Sequence, residues 1–170
     1  MLKLCLLSFA ILFLCLLSSP SQTRHKRPKA PTREPVGISV DLVNQMARDD
    51  RAVSECVTNG GATIIARALS AKPFNLNGSG RSVVLVDLYQ VPNVENCLLC
   101  GARRCDEWVY RKNGSSYELL LKIESADGVQ PLRTSTNGYR DLKVTYVGSV
   151  SGDALAEIYK YDGRRYRKVR

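Results

Sequence analysis

Cysteine is the residue type whose spacing in this chain most directly suggests chemistry. Three of the six cysteines, Cys97, Cys100 and Cys105, lie within nine positions. Such a cluster is compatible with a zinc site, a redox Cys-x-x-Cys pair or disulfide bonds. Zinc needs four converging ligands, and no histidine lies nearby. A redox pair normally opens a helix after a strand, whereas this pair precedes a glycine-containing loop and a strand. The pattern therefore favours disulfide bonds.

The N-terminus indicates the compartment in which these cysteines reside. A short positive start is followed by an apolar run over residues 4–17, and Ser19 and Ser21 suit cleavage before Gln22. This layout predicts a secretory signal peptide over residues 1–21. The apolar run is shorter than the roughly 20 residues that span a bilayer as a helix. We expect export to the periplasm or the extracellular space, with no transmembrane segment in the mature chain.

Export changes the number of cysteines that matter. Cleavage removes the first two and leaves four, an even number in an oxidising compartment, which favours disulfide bonds. Four cysteines allow three pairings, and spacing alone does not select one. We expect Cys100 to pair with Cys105, closing a tight loop, and Cys56 to pair with Cys97.

Other catalytic chemistry finds little support in the sequence. The single histidine, His25, lies in a basic, proline-containing stretch, so the folded part cannot contain a Ser-His-Asp or Cys-His arrangement. The carboxylate pairs Asp49-Asp50 and Asp106-Glu107 are adjacent in sequence and point to different faces. A hydrolase that combines distant carboxylates stays an open alternative. We predict no catalytic residues and no cofactor.

The formal net charge of +9 lies at the two ends of the chain. Residues 22–35 carry five Lys/Arg and three prolines, which predicts a linker, and residues 164–170 carry five Lys/Arg, which predicts a basic tail. Residues 36–163 hold 14 basic and 15 acidic side chains. This nearly neutral stretch predicts a single globular domain, and the charged segments on either side are expected to keep the chain soluble. We do not expect a nucleic acid as the partner.

The first part of this domain has a helical pattern. Ser39 can cap a helix with apolar residues at helical spacing, and Asp49 or Asp50 can cap a further helical segment. The sequence Asn59-Gly60-Gly61 ends the pattern. The sequence leaves open whether this region is one kinked helix or two.

The rest of the domain has a β pattern. Alternating or continuous apolar runs and Asn-Gly or Asp-Gly turns predict strands and hairpins. The turns are Asn113-Gly114 and Asp162-Gly163. The predicted strand regions are residues 62–71, 82–88, 107–123, 141–147 and 154–169.

An internal similarity divides the β region into two units. Residues 110–117 align with residues 159–166, and both stretches begin and end with tyrosine around an Asn-Gly or Asp-Gly turn. We predict two diverged repeat units at about residues 74–122 and 134–166. The predicted fold class is α+β, with the N-terminal helical segment packed on a mostly antiparallel β-sheet, or on a small sandwich, built from these units.

Two family resemblances follow from these motifs. The stretch "FNLNGSGRSVVLV" resembles the calcium loops of FG-GAP and VCBS β repeats, but Asn75, Asn77 and Ser79 are neutral where those loops carry carboxylates. The resemblance therefore implies a degenerate loop without calcium. The chain also resembles small exported bacterial proteins of unassigned role that share its Cys-Gly-x-x-x-Cys loop and Asn-Gly-Tyr-Arg-Asp-Leu turn. That resemblance implies a fold and no established activity.

Aromatic side chains supply the candidate ligand surface. Aromatic residues with polar groups dominate contacts with proteins and glycans, although they also pair across strands in small β domains. The candidate surface residues are Trp108, Tyr110, Tyr139, Tyr159, Tyr161, Arg103 and Arg104.

We therefore expect an exported, disulfide-stabilised, non-enzymatic binding or inhibitory module whose partner is an envelope protein or glycan. A carboxylate-based hydrolase of an envelope polymer and a purely structural envelope protein are the alternatives.

Overall fold

Three short helices precede eight β-strands in the part of the chain that the computed structural model describes, which is residues 37–78, 82–101, 104–147 and 154–169. All of these residues belong to one unit, Glu34–Arg170. The strands form two antiparallel sheets, which confirms the predicted mixed α+β fold. The predicted signal peptide (1–21) and linker (22–35) lie outside the described residues.

The first two helices are separate and meet at Asp50. Ser39 caps helix α1 (Val40–Asp49), its Oγ accepting a hydrogen bond from the Leu42 N–H at 3.2 Å. Asp50 is extended, with φ −138°, and its Oδ1 accepts from the Ala52 N–H at 2.9 Å to cap helix α2 (Arg51–Gly60). Two capped helices with a break at Asp50 resolve the question that the sequence left open.

The strand expected at residues 62–71 is wrong over most of its length. Helix α3 (Ala62–Ala68) begins directly after Gly61, whose φ of 83° redirects the chain and whose carbonyl oxygen accepts from the Ile65 N–H. The strand begins only at Leu69. A short apolar run does not by itself distinguish a strand from a helix, and Gly61 can take the conformation that a new helix needs here.

The first sheet, sheet 1, has four strands in sequence order, each antiparallel to its neighbour. Its second to fourth strands are in the predicted regions. A register shift between Val109 and Tyr110 marks a β-bulge against the fourth strand. The strands are β1 (Leu69–Pro73), β2 (Val83–Leu88), β3 (Glu107–Asn113) and β4 (Ser116–Ile123).

The second sheet, sheet 2, repeats that order of strands. The sequence did not predict its first strand, which contains Pro131 and few apolar residues and lies at the sheet edge. Edge positions tolerate proline because one side of the strand needs no ladder partner. The strands are β5 (Gly128–Thr136), β6 (Tyr139–Val147), β7 (Ala154–Tyr161) and β8 (Tyr166–Lys168).

Two predicted hairpins form with shifted turns. Asn113 pairs with Ser116, so the β3–β4 loop is Gly114-Ser115 rather than Asn113-Gly114. Gly114 has φ 60°, which suits the first central position of a type II′ turn. The β7–β8 loop has four residues, 162–165, because Tyr161 pairs with Tyr166. The boundary drawn at residue 163 between domain and tail therefore cuts through a hairpin loop.

Sheet 1 contributes side chains to two apolar clusters. Alternate residues of β2, such as Val83 and Leu85, pack with buried residues of sheet 2, including Leu142. Val86 and Trp108 pack in a second cluster with helix residues. The other members of the second cluster are Ile38, Leu42, Val43, Met46, Val53, Cys56, Ile65, Ala66, Leu69, Leu99 and Tyr110.

Polar contacts join the α1–α2 junction to sheet 1. The Trp108 indole N–H donates to Asp50 Oδ2 at 2.8 Å, and the Tyr110 hydroxyl donates to Asp49 Oδ2 at 3.1 Å. The Lys122 ammonium lies 3.0 Å from Asp50 Oδ2. Burial beside Asp49 raises the pKa of the Tyr110 hydroxyl, so this group stays protonated and donates. One buried carboxylate thus caps a helix and binds two side chains of the sheet.

Candidate functional site: the disulfide-stapled segment

Two disulfide bonds fix the connection between β2 and β3. Cys56 pairs with Cys97, and Cys100 pairs with Cys105, which are the pairs expected from the sequence. The first bond ties this connection to helix α2, and the second closes its end next to β3. We call residues 89–101 the stapled segment.

Further contacts hold the stapled segment against the helices. The N–H groups of Tyr89 and Gln90 both donate to the Ala68 carbonyl oxygen, at 2.8 and 3.1 Å. Val94 fills the space beside Gly60, where an added Cβ would lie 2.3 Å from a Val94 methyl group. Leu99 is only 1% exposed and belongs to the second apolar cluster, which contains the helix residues and is called the helix-side cluster below. The backbone is therefore anchored at its start, middle and end.

Between these anchors the segment turns large apolar side chains outward. Leu98 is 78% exposed and Val91 is 73% exposed, which makes them the two most exposed large hydrophobic residues in the described part of the chain, and Tyr89 is 55% exposed. Their neighbours Pro92 and Leu99 are buried. Single exposed apolar residues are common, but three of them fall within ten positions of one braced loop, and we take this loop as the candidate interaction site.

This arrangement suits the recognition of another protein. In protein interfaces a few side chains that become fully buried in pockets of the partner supply most of the binding energy. A loop that is already fixed loses little conformational entropy when it binds, so more of that energy appears as affinity. The stapled segment combines both properties.

The charged groups at the end of the stapled segment are paired within the molecule. Arg104 forms an ion pair with Asp127 at 2.8 Å, and Lys122 lies 3.5 Å from Asp106. Burial raises the pKa of the Asp106 carboxyl, while the nearby ammonium of Lys122 opposes that rise. Arg103 lies outside the described residues. Arg104 is half-buried, and its ion pair with Asp127 holds the end of the loop in place.

The structure distributes the predicted aromatic ligand surface over different places. Trp108 and Tyr110 are fully buried in the helix-side cluster, and Tyr161 is buried in the other cluster. Tyr139 and Tyr159 are half-buried and pack against that other cluster. Burial prevents the first three from touching a ligand, so these residues do not form one surface.

The tyrosines of sheet 2 instead connect the two sheets. Arg111 on β3 donates to the hydroxyl groups of Tyr139 and Tyr161, each at 3.2 Å, and pairs with Glu118 on β4. The rings of Tyr139 and Tyr161 have centroids 4.3 Å apart. The hydrogen bond to Glu118 is the main reason why the pKa of Arg111 is raised. These hydrogen bonds and ring contacts therefore connect sheet 1 to sheet 2 and have a structural role.

The degenerate calcium-like loop is only partly described. Asn75 Oδ1 accepts a hydrogen bond from the Gly78 N–H at 3.0 Å, which is a turn contact, and both Asn75 and Asn77 are exposed. Ser79 lies outside the described residues. Among the residues with a described structure, no three His, Cys, Asp or Glu side chains converge as a metal site would require.

One carboxyl group stands apart from these networks. Glu107 Oε2 is buried and has no hydrogen-bond partner among the described atoms. Burial is the main cause that raises the pKa of this carboxyl, and the negative charge of Asp87 adds to it. Asp87 itself contacts Ser70 and Lys72. Such a group can keep a proton at higher pH than a free glutamate.

Sequence reasoning missed Tyr89, Val91 and Leu98 as surface residues. The pair Leu98-Leu99 shows why, since both residues are leucine and only the fold decides which one is buried. The cysteine spacing was the available signal, because it marks the loop that the disulfides hold.

Comparison with protein-family models, with curated proteins and with solved structures finds no match for this chain. The resemblance to FG-GAP and VCBS repeats therefore stays a prediction. None of the helices in the described residues is both long enough and apolar enough to cross a membrane.

Proposed function

We propose that this protein is an exported, disulfide-stabilised binding or inhibitory module that docks on a partner protein through the stapled segment. The observation that carries the proposal is the outward orientation of Leu98 and Val91 on a backbone fixed by the Cys56–Cys97 bond. The partner accepts these side chains in an apolar cleft. The helices serve as the platform that backs sheet 1 and holds this segment.

Disulfide chemistry supports export as part of the proposal. Both bonds need an oxidising compartment to persist, and such compartments lie outside the cytosol in most cells. The signal peptide expected at residues 1–21 supplies the route. A partner is then an exported or envelope protein.

The first test is a pull-down with matched baits. The wild-type mature chain and a double variant, Val91→Ser with Leu98→Ser, are immobilised and exposed to the exported and envelope proteins of the source cells. We expect one or more proteins bound by the wild type to be lost from the double variant. Two anchors that each contribute at least about 1 kcal/mol correspond to a loss of affinity of about thirtyfold or more.

Leu155→Ser is the matched control, because Leu155 is 64% exposed on β7 in the other sheet. This control should retain the bound proteins. Equal capture by the wild type and the double variant, or loss from the control as well, would contradict a specific role for the stapled segment.

A further inference from the structure

The β7–β8 hairpin carries a second surface, which differs in chemistry from the stapled segment. Its loop and final strand hold three arginines that line an open cleft of about 340 Å³. Asp162 and Glu118 also line this cleft. The sequence alone suggested a solubilising tail here, whereas the structure builds these arginines into a paired hairpin.

The hairpin loop is held rigidly from within. Asp162 Oδ1 accepts hydrogen bonds from the N–H groups of Arg164 and Arg165, both at 2.8 Å. These two bonds, with the guanidinium of Arg167, hold the pKa of Asp162 down at about 2. Tyr166 is buried, and its hydroxyl donates to the Arg140 carbonyl oxygen at 2.7 Å. The arginines therefore project from a fixed base.

The carboxylates at the cleft are already occupied by other partners. Asp162 pairs with Arg167 at 3.1 Å, and Glu118 pairs with Arg111. In the part of the chain that the structure describes, Arg164 and Arg165 have no ion-pair partner, and both are exposed. The guanidinium groups of these two consecutive residues are therefore not engaged by a carboxylate within the described part of the chain.

We infer that Arg164 and Arg165 form a binding site for a flexible polyanion with repeated phosphate groups. Guanidinium groups bind phosphate oxygens through paired hydrogen bonds. A single ion at two exposed arginines gains little in water, because surface ion pairs are weak and screened by salt. A chain that presents several phosphates along the cleft gains from each contact and from counterion release. The concave shape favours a strand of polymer over a flat membrane surface.

The experiment measures binding of the mature chain to long-chain polyphosphate across a salt series. The variant Arg164→Ala with Arg165→Ala should bind at least tenfold more weakly, and its salt dependence should fall by roughly one to two counterions, from the two lost phosphate contacts. The fold should survive, because the Asp162 contacts use backbone N–H groups that alanine retains. Circular dichroism and the urea midpoint check this.

The matched control is Arg48→Ala with Arg67→Ala, which removes the same charge from two exposed helix positions. This control should bind polyphosphate like the wild type. Equal weakening in both doubles would show attraction by net charge alone and would overturn the site.

Two further arms distinguish the anion source. Inorganic phosphate at the same total phosphate concentration should fail to displace the polymer. Vesicles containing phosphatidylglycerol should bind less tightly than polyphosphate at equal phosphate. Full displacement by inorganic phosphate, or tighter binding to the vesicles, would contradict a polymer site. Because the hairpin is separate from the stapled segment, this inference stands or falls independently of the proposed function.

Discussion

At the scale of single residues, Asp50 joins the helices to the sheet. Its carboxylate caps α2, accepts the Trp108 indole N–H and neutralises Lys122, while the residue is only 5% exposed. A buried charge is tolerated when its hydrogen-bonding capacity is filled in this way. The stapled segment depends on this junction, because Cys56 lies on the helix that Asp50 caps.

The substitution Asp50→Ala should lower the free energy of unfolding by about 3 kcal/mol. The loss combines the helix cap, worth about 1 kcal/mol, with a buried indole N–H left without an acceptor. Asp50→Asn keeps an oxygen that can cap α2 but replaces Oδ2, the acceptor of the Trp108 N–H, with an amide NH2, so it should lose only about 1 kcal/mol less than Asp50→Ala. Urea unfolding of the two variants measures the difference. A loss below 1 kcal/mol for Asp50→Ala would show that the junction is not a main stabilising contact.

At the scale of elements, the two disulfides constrain very different lengths of chain. The Cys56–Cys97 bond spans 41 residues and connects α2 to the stapled segment, whereas the Cys100–Cys105 bond spans five. Loop-closure entropy makes the longer bond the more stabilising one. Of the two disulfide bonds, only the longer one links the stapled segment covalently to a helix or strand.

Removal of the Cys56–Cys97 bond by paired Cys→Ala substitutions should lower the free energy of unfolding by about 4 kcal/mol. Removal of the Cys100–Cys105 bond in the same way should cost about 2 kcal/mol. Urea midpoints of the two variants compare these costs. If the shorter bond proved the more stabilising, the stapled segment would owe its position to local contacts and not to the covalent link with α2.

The elements also show what sequence can and cannot specify. The cap at Ser39 and a second cap at Asp49 or Asp50 were predicted because their chemistry is local, and the structure places the second at Asp50. The central strand β2 was also predicted. Strand β5 was missed because pairing with β6, rather than its own composition, makes it a strand. The helix α3 was missed because Gly61 changes the chain direction in a way that apolar periodicity does not reveal.

The same limit applied to the candidate site. Alternation correctly placed Trp108 and Tyr110 on one face of a strand. It could not show that helices cover this face, since coverage depends on contacts between distant parts of the chain. Exposure of Leu98 beside buried Leu99 is likewise a tertiary property.

At the scale of the whole molecule, two surfaces of opposite character lie on different sheets. The apolar stapled segment precedes the third strand of sheet 1, and the arginine hairpin closes sheet 2. Hydrogen bonds from Arg111 to Tyr139 and Tyr161 connect the two sheets. We expect a protein partner to bind the stapled segment with unchanged affinity when the arginines of the hairpin are replaced.

Site-specific photo-crosslinking at position 98 tests the central claim most directly. A benzoylphenylalanine placed at Leu98 in the protein produced in its own cells should form a light-dependent covalent adduct with a specific exported or envelope protein. The same probe at exposed Leu155 should not form that adduct. If position 98 gives no adduct, or gives the same adducts as position 155, the stapled segment is not the docking surface.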